Sequence, residues 1–489
     1  MIIVLILYLI ITLSIAFISA KRAKTASSFV LGDKKISGFS LALSERATGE
    51  SAWLLLGLTG EAFLIGIQAI WIALGCVIGI GFIWFVMGNR LREETEKSGA
   101  LTIPSLISKR FPDLQKIIGT LSASIVVFFF TFYISAQFAG GGIILHDAFG
   151  IEPFWGIVIG AAIITFYCMM GGFMSVVATD VFQAILMIFT LIVLPIIILS
   201  VAASSNVQIV DSIANAGEKY NSLTAGKSGI GAFLLILSGM SWAFGYTGQP
   251  QLLTRMMAVK NAKDIITAKW VAIIWTVLAY TGAMIIGLAG YAFLNNGLLT
   301  GNEEKLANDF EKILPVMIQA FVTPILAGFL LSGIISAMMS TASSEIILSS
   351  SSIAEDIYRN HSKRKLSMAQ SLRLNKVLTL VVGAVAFMLA VTVKDTVYGL
   401  VSYAWSGIGS SFGPALLLLL FWKRFSGAGV IASLLAGTVG TIIWKTFLLV
   451  PTGVSERLGS FVFAFLCAVI FSLIFPEKKS ITGSENVNF

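Results

Sequence analysis

Charge is scarce in this chain. Only 12% of its 489 residues are Asp, Glu, Lys or Arg, against 57% hydrophobic residues and a mean hydropathy of +0.91. A soluble domain carries about 25% charge, so a string of soluble domains of about 150 residues each is excluded. Histidine and cysteine are scarcer still. His146 and His361 are far apart, and Cys76, Cys168 and Cys467 lie in apolar segments without CxxC spacing. A disulfide framework and a His/Cys metal site are therefore excluded, and the cysteines read as packing residues. No Walker loop is present, and no long polar stretch offers room for a nucleotide-binding domain, which removes ATP as an energy source.

What is abundant is apolar runs of about 20 residues, the length that crosses a bilayer. The chain reads as an all-α polytopic membrane protein of about 13 transmembrane helices, at 2–20, 40–62, 66–89, 119–147, 153–171, 178–202, 229–253, 268–294, 313–356, 374–393, 396–421, 427–449 and 457–475. The first run lacks a basic leader and meets Lys21, Arg22 and Lys24 directly, so it reads as a spanning helix rather than a signal peptide. Basic residues stay on the cytoplasmic side, and their placement sets the N-terminus outside and the C-terminus inside a cell inner (plasma) membrane. Inside loops then hold Lys21 to Lys35, Arg90 to Lys116, Arg255 to Lys269, Arg359 to Lys376, Lys423, Arg424, Lys478 and Lys479. Lys219, Lys227, Lys305, Lys312, Lys394 and Arg457 fall outside, and only Arg46 and Lys445 within spans. The net charge of +8 is thus a sidedness signal, and no nucleic-acid partner is expected. A secondary transporter, a channel, a receptor and a membrane-embedded enzyme remain, although no nucleophile, base and orienting group can be grouped for an enzyme.

Polar residues at membrane depth narrow these classes, because they face a protein interior or a watery cavity. In the second span, Leu41 to Gly60, Glu45, Arg46 and Glu50 interrupt apolar and small residues. Glu45 and Arg46 sit where an ion pair can reach interfacial water, and Glu50, between Gly49 and Ser51, is the stronger site candidate. Gly49 predicts an opening of the helix there, and opened carbonyls at this depth ligate cations or line cavities. In the seventh span, Trp242 to Pro250 carries two glycines and a proline that removes one backbone donor. Four spans separate the two interruptions, as in an inverted repeat with a midplane site. Gly333, Ala337, Ser340, Thr341 and Ser344 form one stripe of the ninth span, with Ser343 on its flank. Tight packing explains such a stripe, and so does a hard-cation site, whose ligands are oxygens. Asp180, at the start of the sixth span, reads either as a helix cap or as a ligand.

Together these residues resemble the sodium:solute symporter family, in SAWLLLGLTG (Ser51 to Gly60), GGF (Gly171 to Phe173), TD (Thr179, Asp180), GYTGQP (Gly245 to Pro250), MMSTASS (Met338 to Ser344) and VSYAW (Val401 to Trp405). The resemblance implies a LeuT-type core of two inverted five-helix repeats, 37–228 and 229–425, preceded by a first helix and cytoplasmic loop at 1–36 and followed by two helices and a short tail at 426–489. It implies a main sodium site at Ala47, Glu50, Ala337, Ser340 and Thr341, and in some relatives a second at Asp180, Ser340, Ser343 and Ser344. Carried over from the family's proline symporters, Ser51, Tyr133, Trp242, Tyr246 and Pro250 surround the substrate. Those symporters have Asp where this chain has Gly49 and Met where it has Glu50. The displaced carboxylate then stands near sodium, contacts a substrate amine or pairs with Arg46. The expectation is sodium-coupled import of a small solute, L-proline first, with another amino acid, a sugar or a carboxylate next, and a cation channel or sensor as the other class. Some relatives carry a fused kinase, for which Pro476 to Phe489 offers no room. No organic cofactor is expected, and oligomeric state is left open.

Overall fold

A computed structural model describes residues 1–21, 26–32, 36–362, 366–393 and 395–477. Of the basic residues used to set orientation, Arg22, Lys24, Lys34, Lys35, Lys363, Arg364, Lys365, Lys394, Lys478 and Lys479 lie outside the described residues. Among those described, 11 helices are long and apolar enough to cross a membrane. The principal helices are α1 (Ile2–Ala20), α2 (Gly38–Ser98), α3 (Gln115–Phe149), α4 (Pro153–Ser204), α5 (Gly229–Tyr246), α6 (Pro250–Met257), α7 (Ala262–Asn295), α8 (Pro324–Ser352), α9 (Met368–Thr392), α10 (Val397–Phe421), α11 (Gly427–Thr452) and α12 (Glu456–Ile474). α8 and α10 are the most enclosed, while α1 and α5 leave most of their apolar surface facing outward.

α2 and α4 contain 61 and 52 residues. Either, if straight, would exceed twice the roughly 30 Å hydrocarbon thickness at about 1.5 Å per residue. Both are bent at glycines with positive φ, and the expected spans 40–62, 66–89, 153–171 and 178–202 lie within them. In α4 the bend is Gly172, at φ 57° and ψ −151°, where a Cβ would meet the Phe29 ring at 2.5 Å. In α2 it is Gly66, at φ 74°. The carbonyls left at that turn accept from Tyr220 Oη, 3.1 Å from Ala62 and 3.0 Å from Phe63, which satisfies helix-end groups that have no partner of their own.

One expected span shows the interruption foreseen in it, and another is corrected. The run 229–253 is interrupted: α5 ends at Tyr246, Gln249 is extended, and α6 starts at Pro250, whose missing N–H falls where a helix does not need one. The run 313–356 divides as well. A short helix, Ile313–Phe321, stops at extended Val322 and Thr323 before Pro324 opens α8. The residue before a proline is biased away from helical geometry, and continuous hydropathy conceals that signal.

The connection between α7 and α8 is anchored by Glu311, whose two oxygens accept from the first backbone N–H groups of α10, at 2.9 Å from Val397 and 2.7 Å from Tyr398. Burial pushes this carboxyl up from 4.5 to about 7, the two N–H donors opposing it. The folded protein therefore binds the proton more tightly than the unfolded chain. Stability from this group is greatest below pH 4.5 and declines as pH rises through about 7. Thermal unfolding from pH 5 to 8 is expected to show that decline, with a shallower slope for Glu311→Gln.

Candidate functional site

α2 begins at Ser37, whose hydroxyl accepts from Ser40 N–H at 3.3 Å. The helix then breaks at Ser51, which has φ 28° and ψ −168°. Such geometry is strained for a residue with a side chain and persists only where the surroundings impose it. Here they do. Ala52 N–H donates to Gln137 Oε1 at 3.0 Å, Trp53 N–H to Ser51 Oγ at 3.2 Å, and Ser51 Oγ lies 3.3 Å from Tyr133 Oη. The break falls two residues after the expected Gly49. That glycine instead admits a close neighbour, since a Cβ there would lie 3.1 Å from the Leu252 side chain of α6.

The charges preceding the break form one buried cluster. Arg46 bonds both Glu45 and Glu50, donates to Thr276 Oγ1 at 3.2 Å, and is fully enclosed with both carboxylates. Glu45 also accepts from Trp84 Nε1 at 3.0 Å. Glu50 Oε2 accepts from Tyr280 Oη at 2.5 Å, and Tyr280 Oη lies 3.1 Å from Tyr246 Oη. Interfacial water does not reach Glu45 or Arg46, because α2, α7 and Trp84 enclose them. Of the three positions open to the Glu50 side chain, the geometry holds it against Arg46, and its backbone carbonyl accepts from Trp53 N–H.

α8 meets the end of this helix through its hydroxyl stripe. Ser340 Oγ donates to the carbonyls of Ala47 at 2.9 Å and Ala337 at 3.1 Å, and Thr341 Oγ1 to that of Thr48 at 2.8 Å. Ala47, Ala337, Ser340 and Thr341 are thus brought together, with Glu50 one turn along the same helix. Each hydroxyl oxygen keeps lone pairs to offer a hard cation.

The expected second ligand set is assembled differently. Asp180 Oδ2 accepts from Ser44 Oγ at 2.6 Å and Arg255 Nη2 at 3.0 Å, while the same guanidinium nitrogen donates to Thr48 Oγ1 at 2.9 Å and Ser344 Oγ at 2.5 Å. Ser343 Oγ turns to the Ser340 carbonyl at 3.0 Å. Asp180 caps no helix, since α4 runs unbroken from Gly172 past it. Arg255, which charge counting assigns to a cytoplasmic loop, is fully buried between Asp180 and Ser344.

Aromatic residues line the other side of the break. Trp53 stacks on Trp242 at 4.3 Å, Trp405 lies 5.7 Å from Trp242 and 4.7 Å from Tyr246, and Arg457 of α12 sits 4.6 Å over the Trp242 ring. Gln249 Nε2, in the gap between α5 and α6, donates to the Trp405 carbonyl at 3.0 Å, which places Pro250 beside α10. Sequence reasoning missed Arg255, Gln137 and Tyr280. None of the three had a local signal, since their partners lie on other helices.

Residues 29–437 match the model of the sodium:solute symporter family. The chain belongs to that family. It is 34% identical to a sodium/proline symporter of Escherichia coli (strain K12) over 466 residues, covering 94% of this chain and 90% of that protein. It is 33% identical to a high-affinity proline transporter of Bacillus subtilis (strain 168) over 480 residues, covering 97% and 98%. A solved Na+-coupled sialic acid symporter in a substrate-bound outward-open state superposes with TM-score 0.81 at 19% identity, over 97% of this chain and 98% of that one. At that identity the likeness shows the fold, which is of LeuT type. This member of the family is a multi-pass membrane transporter, not an enzyme.

The Glu45–Arg46–Glu50 cluster predicts strong coupling. Removing one partner of a buried charge pair costs about 3–5 kcal/mol, and losing a hydrogen bond to a charge about 1.5–3 kcal/mol. Glu50→Gln and Tyr280→Phe are each expected to lower the thermal midpoint, and the double variant to lose less than the sum of the two. Unfolding of the three variants in detergent measures this.

Proposed function

We propose that this protein imports L-proline together with sodium by alternating access. The observation that carries the reading is the junction of the broken α2 with α8, where two hydroxyls and three backbone carbonyls converge on a single short segment. Sodium bound to Ala47, Glu50, Ala337, Ser340 and Thr341 holds α8 against the opened end of α2. It thereby fixes Ser51 and the N–H groups after it, which form one wall of the substrate site.

Proline suits that site chemically. Its ring is apolar and matches the wall of Trp53, Trp242, Tyr246 and Trp405, while Ser51 and Tyr133 offer hydroxyls to its charged groups. Pro250 shapes the far side by opening the chain before α6. The names of the curated relatives supply the substrate, and their nearly complete coverage supports carrying it over. Glu50, paired with the Arg46 that it shares with Glu45, acts on the substrate through Tyr280 and Tyr246.

We take Arg255 to be a tethered cation at Asp180 and Ser344, two of the four residues of the expected second site, so that one sodium accompanies each proline. The energetics are adequate. One sodium crossing about 100 mV gains roughly 2.3 kcal/mol before its gradient is counted, and tenfold accumulation of solute requires about 1.4 kcal/mol. The N-terminus lies outside, the C-terminus inside, and a four-helix bundle of the core rocks against the remainder to expose the site inward.

Proline uptake in proteoliposomes tests this reading. Ser340→Ala and Thr341→Ala are each expected to raise the half-saturating sodium concentration about tenfold, as when a charge-assisted ligand worth roughly 1.4 kcal/mol is lost. Unchanged sodium dependence in both would remove the site. Paired sodium and proline fluxes are expected in a ratio of one, and a ratio of two would remove the tethered-cation reading.

A further inference from the structure

Beyond Thr341, α8 continues with Glu345 and Ser349 at successive intervals of four residues, which places all three on one face, with about 6 Å of rise between neighbours. Glu345 is fully buried, and neither of its carboxylate oxygens has a hydrogen-bond partner among the described residues. Ser349 Oγ is buried and unpartnered too. Other buried acids in this bundle are served. Glu45 and Glu50 bond Arg46, Asp180 bonds Arg255, and Asp356 accepts from Thr102 Oγ1 at 2.8 Å.

Arg255 is the cation whose field reaches Glu345. All three of its nitrogens are already engaged: Nε with Ser44, Nη1 with the Gln251 carbonyl, and Nη2 with Thr48, Asp180 and Ser344. Tyr133 on α3 is the neighbouring titratable group on the opposite side. An ionised carboxylate enclosed without donor or counter-ion is strongly disfavoured. Glu345 therefore calls for a positive partner in direct contact, which none of the described residues provides. It stands one turn past the hydroxyls of the cation site, toward the end of α8 that precedes the basic stretch from Arg359.

We propose that Glu345 is a transit site for the coupled monovalent cation: an ion leaving Ser340 and Thr341 is taken up by the Glu345 carboxylate and the Ser349 hydroxyl before it reaches the cytoplasm. This rests on the reading that sodium binds at Ser340 and Thr341. The carboxylate lowers the barrier to inward release without adding to the affinity of the first site. A carboxyl that merely holds a proton is the competing occupant, and it would be replaced by an amide without consequence.

The test uses the full-length protein carrying Glu345→Gln, Glu345→Asp or Ser349→Ala. Two quantities are compared: sodium-dependent thermal stabilisation in detergent, which reads binding, and the maximal rate of sodium-driven proline uptake in liposomes, which reads the full cycle. For Glu345→Gln, half-stabilising sodium is expected to stay within about twofold of the parent while the maximal uptake rate falls about tenfold. Glu345→Asp is expected to restore at least half of the rate. A parental rate in Glu345→Gln would overturn the proposal, as would a rise in half-stabilising sodium matching that of Ser340→Ala. Should Glu345→Gln fail to fold, Ser349→Ala decides: a rate lowered about threefold with unchanged binding supports transit, and a parental rate overturns it. Failure of the underlying reading has a separate signature, namely sodium stabilisation that Ser340→Ala and Thr341→Ala leave untouched.

Discussion

The hydrogen bonds from Ser340 to Ala47 and from Thr341 to Thr48 are the contacts on which the remaining architecture turns. A bilayer offers no water to a broken helix, so every backbone group freed at Ser51 must find its partner in protein. α8 supplies hydroxyls to the carbonyls before the break, and α3 supplies Gln137 and Tyr133 to the groups after it. The break is thus strained yet fully enclosed. It also joins α8, proposed to hold the cation, to the segment of α2 proposed to face the solute, so that occupancy of one would be felt by the other.

Two buried arginines complete the electrostatics. Arg46 bridges Glu45 and Glu50 of α2, and Arg255 pairs with Asp180. Both side chains reach across helices: Arg46 to α7 through Thr276, and Arg255 from α6 to α2, α4 and α8. Buried ion pairs are weak sources of net stability and better suited to fixing one arrangement of parts. Here they fix α2 in register with the helices around it, including α6, which begins immediately after the second interruption. The two broken helices are held to each other by charge as well as by the Trp53–Trp242 stack.

Hydropathy made the helices legible, and the hydroxyl stripe of α8 made its junction with α2 legible as a candidate cation site, because both depend on local period. The break in α2 was legible as a tendency but not as a position. Gly49 is where the chain is freest, yet the structure spends that freedom on Leu252 and opens at Ser51, where Tyr133 meets Ser51 and Gln137 meets Ala52 from more than 80 residues away. Arg255 was hidden by the very rule that ordered the other basic residues, since a charge near a helix end is counted to the cytoplasm unless a remote carboxylate claims it. Glu45 and Arg46, read as an ion pair reaching interfacial water, are enclosed instead. Their enclosure comes from Trp84 and Thr276, and no local pattern announces it.

If sodium completes the proline site by closing α8 onto the opened end of α2, proline binding requires sodium. Thermal unfolding of the purified protein, titrated with L-proline in sodium chloride and in potassium chloride of equal strength, tests it most directly. In sodium, proline at a hundredfold excess over its dissociation constant is expected to stabilise the fold by about 2.7 kcal/mol, and in potassium the same concentrations are expected to leave the midpoint unmoved. Equal stabilisation in the two salts would contradict the account.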